Sequence, residues 1–457
     1  MYTTNFNPAL DAKSTPKERF VWMLYMGIVF FLLYGSANHY ASLHAPHPSF
    51  FMAWEEEIPF IPSFIIPYIS SDLLFCIAFL LPYTRLELRI LALRVFFIIS
   101  FSVLCFVLFP LQFSFTKPQS ESFSFLFRLL QADLPFNQLP SLHISFAIVL
   151  YASMFKYLSY WAKVFVGFWF VLVGVSTLVV YQHHFIDIPS GAAVGLFALY
   201  LFSKKKQNYL TERFTTPRHL KIALYYLGAS TLVLMAFFSS NLLFAPIFLW
   251  IFLSLFLVSL TYAFGCNDAL IGTKGSPNLL QWLLFFPYFL GTYLSWNYYK
   301  RKIPLITHVK EHLYFGRFPT SDEIKELQAL GIEKRLNLAT EQQLHAASLS
   351  QEQLNFLDLT IPSAHLLHQA VEKIEQTQEK IFVHCALGLS RSVLVVRAWL
   401  HYKGYDDAAI DALLQEIRPN AVQSAYMQVA LTLYKQHLQT LKVTCQKNEN
   451  LSATPLA

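Results

Sequence analysis

The sequence predicts an α-helical polytopic membrane domain followed by a soluble α/β domain. Apolar residues make up 55% of the 457 residues and charged residues only 14%, whereas soluble globular proteins carry about 25% charged residues. The apolar excess is confined to residues 20–299, and residues 300–457 have an ordinary soluble composition. In that second part, short apolar strands alternate with helical segments, which is typical of an α/β layer.

The N-terminal part contains a series of long apolar runs. A helix that crosses a bilayer needs about 20 mainly apolar residues. Runs of that kind lie near residues 20–38, 60–83, 90–112, 141–158, 161–182 and 187–203, and a second group lies near 220–240, 244–264 and 278–298. The last run contains Pro287 and Gly291, so a re-entrant or interfacial segment is an alternative to a crossing there. The sequence is compatible with either eight or nine crossings of the membrane.

Basic residues cluster in the short connections between these runs, and such clusters mark the cytoplasmic side. Arg85 and Arg89 lie between the second and third runs, and residues 204–206 follow the sixth, whereas the acidic residues 55–57 fall on the opposite side. We therefore expect the first six helices to start and end in the cytoplasm. Lys300–Lys302 favour the same side for the soluble domain, which requires that one of the last three runs does not cross.

These patterns predict five regions. They are a cytoplasmic segment at 1–19, a six-helix membrane domain at 20–203, additional membrane helices and a connector at 204–302, the α/β domain at 303–440, and a flexible tail at 441–457.

Charge and cysteine usage limit the classes of function. The formal net charge of +6 arises in the connections between apolar runs, so nucleic acid is not an expected partner. The five cysteines show neither a disulfide framework nor a metal-ligand spacing. They are Cys76, Cys105, Cys266, Cys385 and Cys445. We expect no metal and no cofactor, and the oligomeric state is left open.

One cysteine has a distinctive setting. The residues from 381 to 392 read IFVHCALGLSRS, which is a short apolar strand, a loop with a glycine, and the start of a helix. Backbone N–H groups at such a helix start bind anions and favour a thiolate, so Cys385 is a candidate nucleophile for phosphorus. Arg391 can hold two phosphate oxygens, Gly388 permits a tight loop, and Ser392 can hydrogen-bond the sulfur. The alternative is a buried structural cysteine.

VHCALGLSRS resembles the signature of the dual-specificity branch of the protein tyrosine phosphatase superfamily. HLYFGRFP and ALGIEKRLNLATE extend the resemblance over residues 305–440. It implies a cysteine-phosphatase domain with a phosphocysteine intermediate, in which Ser390 also contacts the phosphate and His384 supports the loop. It further implies an acid some thirty residues upstream, and Asp358 is the candidate proton donor. A turn aspartate at the end of a strand is the alternative for Asp358.

Two histidine motifs lie in the membrane part. NQLPSLHISFA spans residues 137–147, and STLVVYQHHFIDIPSG spans residues 176–191. His183 and Asp187 are four residues apart, hence on one helical face if the helix has begun. The carboxylate can then orient the imidazole as a nucleophile or base, and His143 is free to act as an acid. Interfacial histidines and an aspartate that caps a helix are the alternative.

P-S-x-H followed by H-x-x-x-D is similar to the type-2 phosphatidic acid phosphatase superfamily, and PSLH resembles its lipid phosphotransferase branch. The resemblance covers residues 60–203 and implies His183 as nucleophile, His143 as general acid and Asp187 as its orienting partner. Ser141 would bind phosphate. Two departures stand out: Ser-Thr replaces Ser-Arg in the third motif, and only Lys117 followed by proline fits the first.

Arg128 is a second candidate to replace the missing phosphate ligand, and an interfacial role is equally open for it. His184 stands where an aromatic residue is common, and it is expected to be a neighbour of the site.

The whole chain resembles bacterial fusions of these two domains. The resemblance implies a bifunctional phosphatase or phosphotransferase of the bacterial inner membrane that acts on lipid phosphate esters in phospholipid metabolism. The histidine site would face the periplasm and the cysteine site the cytoplasm. The alternative is a membrane-anchored protein phosphatase in signalling, with one working site. The sequence does not identify the lipid head group. It also does not show whether the histidine site transfers its group to water or to an alcohol.

Overall fold

The computed structural model describes residues 12–118, 121–131, 133–203, 213–241, 243–271, 276–342 and 349–452, with side chains as far as residue 441. The chain divides into two compact units, with the boundary between residues 212 and 213. The first unit is helical, and the second holds three further helices together with a five-stranded sheet. The predicted fold class is therefore confirmed.

The first unit contains seven helices among its described residues. They are α1 (Pro16–Leu43), α2 (Ile65–Leu80), α3 (Arg85–Leu108), α4 (Ser124–Leu130), α5 (Leu142–Met154), α6 (Tyr160–Val179) and α7 (Asp187–Leu201). The short helix α4 was not predicted, because its seven residues, SFLFRLL, are too few to show a helical period.

Helices α1 and α3 each begin with a reciprocal pair of capping hydrogen bonds. Thr15 accepts a hydrogen bond from the backbone of Glu18 at 3.2 Å, and the Glu18 carboxylate accepts from the backbone of Thr15 at 2.7 Å. Thr84 and Glu87 form the same reciprocal pair at the start of α3. Each pair satisfies two backbone donors that the first turn of a helix would otherwise leave unpaired.

The long helices of this unit are suited to a bilayer. Pro16–Leu43, Pro62–Leu80, Arg85–Leu108 and Tyr160–Val179 are long and apolar enough to cross one, and Leu142–Tyr157 and Asp187–Leu201 are shorter apolar helices. Large apolar side chains such as Phe31 and Trp161 point outward and are 70% and 78% exposed. Such outward faces are stable in contact with lipid.

The second unit begins with three helices: α8 (Pro217–Ser239), α9 (Ala245–Phe264) and α10 (Leu279–Tyr299). The first two complete the six membrane-span candidates among the described residues. Helix α10 has 21 residues and is continuous through Pro287, but it is not apolar enough to join those candidates. The multi-pass membrane character of the chain therefore rests on six helices. The basic residues 204–206 lie outside the described part.

The α/β domain follows. Its elements are β1 (Ile306–Lys310), β2 (Leu313–Arg317), α11 (Glu323–Ala329), β3 (Ile332–Ala339), β4 (Ser350–Phe356), α12 (Ala364–Glu375), β5 (Lys380–Cys385), α13 (Arg391–Tyr402), α14 (Asp407–Ile417) and α15 (Ala425–Ser452). The strand order is β1-β2-β5-β3-β4, and only the β1–β2 pair is antiparallel. Helix α15 extends past residue 441, where a flexible tail was expected to begin, and residues 453–457 lie outside the described part.

The central strand places the cysteine. Strand β5 reads KIFVHC and is buried from its second residue onward, as expected for a strand covered on both faces. It lies between two parallel neighbours, β2 and β3. Ligand sites of parallel sheets form at the carboxyl ends of the strands. Cys385 is the last residue of β5 and therefore lies at that edge.

Candidate active sites

The cysteine loop brings donors to the sulfur atom. Cys385 is 2% exposed. The backbone N–H of Gly388 donates to its Sγ at 3.3 Å, and the Ser392 hydroxyl lies 3.5 Å from the same atom. Helix α13 begins at Arg391, so its positive end faces the loop. The arrangement can hold a negatively charged sulfur or an anion beside it.

Gly388 is required by the backbone of this loop. Its φ is +65°, and an added Cβ would lie 2.4 Å from the carbonyl carbon of Gly316. Any other residue would have to adopt a left-handed conformation and also push strand β2 away. The loop can therefore approach the sheet edge closely only with glycine at this position.

Arg391 is held by acidic and carbonyl oxygens. Its two terminal nitrogens form a bidentate ion pair with Glu341, with one bond of 2.9 Å, and one of them also donates to the carbonyl oxygen of Phe356 at 3.1 Å. Its Nε lies 3.1 Å from Oδ1 of Asp358. The structure thus brings together the predicted residues Cys385, Arg391 and Asp358.

Glu341 was missed by the sequence analysis. It lies just beyond the end of strand β3, inside the quoted stretch ALGIEKRLNLATE, and 50 residues separate it from Arg391. No local pattern marks it, because the pair forms only when β3 and β5 become neighbours in the sheet. A buried carboxylate beside a phosphate-binding motif could be found only from the fold.

The two acids beside Arg391 differ electrostatically. Burial, together with the charge of Glu341, raises the pKa of Asp358, although Arg391 opposes this shift. The Asp358 side chain is 38% exposed, so it can also reach a ligand. Burial disfavours the charge of Glu341 as well, yet the contact with Arg391 holds the pKa of Glu341 below its ordinary value. One carboxyl thus favours the protonated form and the other the charged form.

His384 makes no polar contact with the thiol. Neither of its ring nitrogens has a hydrogen-bond partner among the described residues, and the ring packs against Phe318 and Phe382. Burial lowers the pKa of His384 well below its ordinary value, and the charge of Arg335 adds to the shift. Its support for the loop is therefore through packing and not through a hydrogen bond to sulfur.

Two further contacts hold the loop from outside. Ser390 is at the N-cap position of α13, and the backbone N–H of Val422 donates to the carbonyl oxygen of the preceding residue, Leu389, at 2.9 Å. The buried Arg418 donates to the carbonyl oxygen of Gly388 at 3.4 Å and to the Thr307 hydroxyl at 2.9 Å. Neither Val422 nor Arg418 was predicted, since both follow the motif at a distance that the sequence does not fix.

The histidine motifs meet in the first unit. His183 Nδ1 lies 3.0 Å from Asp187 Oδ2, and both side chains are buried. The same oxygen accepts the backbone N–H of His184 at 3.1 Å. Helix α7 begins only at Asp187, so the pair forms across a turn. The helix has not begun at His183, so the two residues do not share a helical face, but the expected contact between them is present.

His143 and Ser141 lie beside this pair. The rings of His143 and His183 are 5.8 Å apart between centroids, and Tyr68 packs on His143 at 4.3 Å. The Ser141 hydroxyl is buried, and no partner for it occurs in the part of the chain that the structure describes. A Cβ on Gly191 would lie 2.5 Å from the Ser141 carbonyl oxygen, so glycine lets α7 approach this corner.

A cavity of about 650 Å³ is lined by Lys117, Arg128 and Gln182, the residue before His183, whereas neither His143 nor His183 is among its described lining residues. Lys117 Nζ donates to Gln182 Oε1 at 2.9 Å. Asp133 lines the cavity too, accepts hydrogen bonds from Tyr34 at 2.9 Å and other donors, and lies within electrostatic range of the second histidine motif. Asp133 was not predicted, since it lies outside both motifs.

His184 links loops of this unit. Its Nδ1 lies 3.1 Å from Glu55 Oε2, and its Nε2 lies 3.2 Å from the hydroxyls of Ser49 and Ser114. Phe113 stacks on the ring at 4.4 Å. These contacts make His184 a buried link between segments, in addition to a neighbour of His183.

Two family models match separate parts of this chain. The model of the dual specificity phosphatase catalytic domain matches residues 313–437, which include the cysteine loop. The model of the PAP2 superfamily matches residues 106–210, which include both histidine motifs. The chain carries both domains. The PAP2 and dual specificity phosphatase domains indicate a phosphoric monoester hydrolase, a phosphatase of lipid or protein substrates.

Solved structures similar to this chain match it over less than a third of its length. The match to Tk-PTP in its active form has 24% sequence identity and a TM-score of 0.27, and it covers 29% of the present chain and 97% of Tk-PTP. PTPMT1 in complex with PI(5)P is 16% identical, with coverages of 30% and 99% and a TM-score of 0.28. Human DUSP28 is 20% identical, with coverages of 30% and 96% and a TM-score of 0.27. No curated protein matches the chain.

Proposed function

We propose that this chain is a membrane enzyme of phospholipid metabolism with two phosphate-transfer sites, both acting on lipid phosphate esters. The observation that carries the proposal is the pairing, in one chain, of a cysteine loop with its arginine and a buried histidine–aspartate pair among membrane helices. A shared substrate class explains why a multi-pass chain holds both. Lipids are the phosphate esters that such a membrane domain can reach.

At the cysteine site, the thiolate of Cys385 attacks phosphorus, forming an S–P bond while the bond to the leaving oxygen breaks. Asp358 gives its proton to that oxygen. Arg391 binds a phosphate oxygen through its Nε–H, which lies beside Asp358, while Glu341 holds both of its terminal nitrogens. Water then attacks the phosphocysteine, its proton returns to Asp358, and the Ser392 hydroxyl stabilises the departing sulfur.

At the histidine site, His183 is the nucleophile. The Nδ1–H of His183 donates a hydrogen bond to the Asp187 carboxylate, and this directs the lone pair of Nε2 at the phosphorus. His143 protonates the leaving oxygen. The unpaired hydroxyl of Ser141 and the ammonium group of Lys117 bind phosphate oxygens, and Lys117 takes the place of the arginine that the third motif lacks.

The lipid preference of the cysteine site follows from its loop. Residues 386–390 contain no basic side chain. Each extra phosphate of a polyphosphoinositide would therefore lack a charge-assisted hydrogen bond, worth about 1.5–3 kcal/mol. Leu387 and Leu389 are both partly exposed and border the loop. A single terminal phosphate on a glycerolipid, as in phosphatidylglycerophosphate, suits this site best.

Transfer of the phosphate-bearing group to an alcohol, in place of water, is the second candidate reaction at the histidine site. The cavity of about 650 Å³ favours it, because this volume exceeds what one phosphate requires and Asp133 could accept a hydrogen bond from an acceptor hydroxyl. Product analysis with an added lipid alcohol separates transfer from hydrolysis.

The deciding experiment compares the full chain with His183→Ala, Cys385→Ser and the double variant in lipid–detergent micelles. Phosphate release is measured from phosphatidic acid, phosphatidylglycerophosphate, a polyphosphoinositide and a phosphotyrosine peptide. We expect each single variant to keep part of the lipid activity and the double variant to lose all of it. Much faster turnover of the peptide than of any lipid would contradict the proposal and favour a membrane-anchored protein phosphatase.

A further inference from the structure

The three helices α8, α9 and α10 reach the rim of the cysteine site. Arg218, on α8, donates from Nε to the carbonyl oxygen of Leu359 at 2.9 Å, in the loop that carries the candidate acid. Trp296, on α10, donates to the carbonyl oxygen of Phe318 at 3.2 Å. The N–H of Phe318 in turn donates to the carbonyl oxygen of Ala386, inside the cysteine loop, at 3.1 Å. Two helices thus bind the segments that border the sulfur.

A third contact comes from the residues after α9. Asp268 accepts a hydrogen bond from Asn355 Nδ2 at 2.8 Å and forms an ion pair with Arg213 at 3.0 Å. Asn355 is in strand β4, directly before the loop with Asp358. All three contacts therefore fix the helices on the side of the domain where the leaving group of a substrate would lie.

Each helix brings one tyrosine to this place: Tyr226 on α8, Tyr262 on α9 and Tyr288 on α10. The rings of Tyr226 and Tyr262 stack at 5.5 Å, and Tyr288 packs edge-on against Tyr226 at 5.9 Å. Tyr262 and Tyr288 are buried, with 1% and 5% exposure. We call these three residues the tyrosine cluster.

One hydroxyl of the tyrosine cluster is available to a ligand. Tyr226 and Tyr288 contact each other through their rings, edge to face. Tyr262 has no hydrogen-bond partner within the described residues, although its side chain is almost fully buried. The Tyr262 hydroxyl can therefore donate a hydrogen bond to a substrate oxygen and accept one.

The tyrosine cluster lies beside the charged groups of the cysteine site. Glu341 and Asp358 are both close enough to all three tyrosines for electrostatic interaction, and Arg391 is in range of two of them. The tyrosine cluster is therefore within electrostatic range of the candidate acid and of the phosphate-binding arginine.

We infer that the tyrosine cluster is a subsite of the cysteine site that binds the glycerol backbone of a phosphomonoester lipid. The inference rests on the proposed function and adds residues of α8, α9 and α10 to the site. Tyrosine hydroxyls donate to uncharged oxygens such as ester carbonyls, and the rings pack against the carbon atoms between them. The acyl chains would lie along α8 and α9, which are long and apolar enough to cross a bilayer.

The test uses the full chain with His183→Ala, so that the cysteine site alone contributes, and adds Tyr262→Phe or Tyr225→Phe. Tyr262→Phe removes only the unpaired hydroxyl. Tyr225 is the matched control, because it neighbours Tyr226 on α8 but is 61% exposed. We measure kcat/KM for phosphatidylglycerophosphate in micelles and for p-nitrophenyl phosphate, which carries no glycerol backbone.

The subsite predicts that Tyr262→Phe lowers kcat/KM for the lipid about three- to tenfold, as expected for a lost hydrogen bond. Activity on p-nitrophenyl phosphate, and both activities of Tyr225→Phe, should stay unchanged. Equal losses on both substrates, or lipid activity unaffected by Tyr262→Phe, would overturn the subsite alone. A parent protein that hydrolyses p-nitrophenyl phosphate or a phosphotyrosine peptide but no lipid would overturn the proposed lipid function and the subsite with it.

Discussion

At the scale of single residues, the cysteine site depends on a buried ion pair. Arg391 and Glu341 are 6% and 4% exposed at their side chains, so each charge is stabilised mainly by the other. Removal of one partner leaves a buried charge without compensation, which typically costs about 3–5 kcal/mol. Glu341 also fixes the guanidinium in the orientation that leaves Nε toward Asp358. The pair therefore serves both stability and phosphate binding.

We predict that Glu341→Gln lowers the melting temperature of the chain and reduces its activity on aryl phosphates by more than about tenfold, because Arg391 loses its counter-charge. The control is Glu379→Gln, which breaks the exposed pair of Glu379 with Lys334 and should cost less than about 1 kcal/mol. Thermal unfolding and initial rates measure both effects. Equal behaviour of the two variants would contradict the role of the buried pair.

Asp358 gives a prediction for pH dependence. A general acid must be protonated, so activity is present below its pKa and falls as the pH rises through it. Because burial and Glu341 raise this pKa, the decline of kcat/KM should begin above the ordinary range of an aspartate. We expect Asp358→Asn to remove this decline, to slow esters of poor leaving groups strongly, and to affect activated aryl phosphates least. An effect that is equal for all leaving groups would exclude Asp358 as the acid.

The sequence could predict the nucleophile Cys385 and the arginine of this site, but not Glu341, the acidic partner of that arginine. Cys385, Gly388 and Arg391 lie within one short loop, so their spacing fixes their geometry. Glu341 and Arg418 reach the loop from other elements, and only the strand order brings them near. Tyr262 is a further case, since nothing in an apolar run shows which side chain will face a phosphate site.

At the scale of elements, the turn before helix α7 positions His183 against Asp187 in the histidine site. Asp187 is both the first residue of the helix and the acceptor for His183. Its carboxylate also binds the backbone of His184, which holds the turn. The predicted run 187–203 matches the observed start of the helix at Asp187, but the spacing of four residues did not show that the pair forms across a turn.

We predict that Asp187→Asn lowers lipid phosphate turnover at the histidine site at least about 100-fold, because an amide no longer favours the tautomer of His183 that the attack requires. The assay uses Cys385→Ser as the parent, so that the cysteine site is silent. Glu57→Gln is the control, since this acidic residue near the same loops is exposed. A loss of less than a few fold would mean that Asp187 is only a structural residue of the turn.

The α/β domain was largely predictable from alternating strands and helices, because each element has a clear pattern of apolar residues. Strand β1 was missed, since ITHVK is short and mostly not buried. It lies at the edge of the sheet, where a strand needs little apolar sequence. The membrane runs were found from composition, but composition did not show that α8, α9 and α10 belong to the same compact unit as the phosphatase domain.

At the scale of the whole molecule, the two sites are expected on opposite sides of the membrane. Lys300–Lys302 directly follow α10, the last helix of the apolar part, and positive charge favours the cytoplasm. We therefore expect a reporter that works only in the cytoplasm to be active when it is fused after residue 310, and a reporter that works only in the periplasm to be inactive there. A reporter active only in the periplasm would place both sites on one side.

The central claim is that both centres form covalent phosphoenzyme intermediates from lipid phosphate. The most direct measurement is to mix the full chain with lipid carrying a labelled terminal phosphate, quench within one turnover, and locate the label by peptide mass spectrometry. Ser392→Ala should prolong the cysteine intermediate, since it removes the hydroxyl beside Sγ. The account predicts phosphocysteine at Cys385 and phosphohistidine at His183. Label at only one of these residues, or at neither while phosphate is still released, would contradict it.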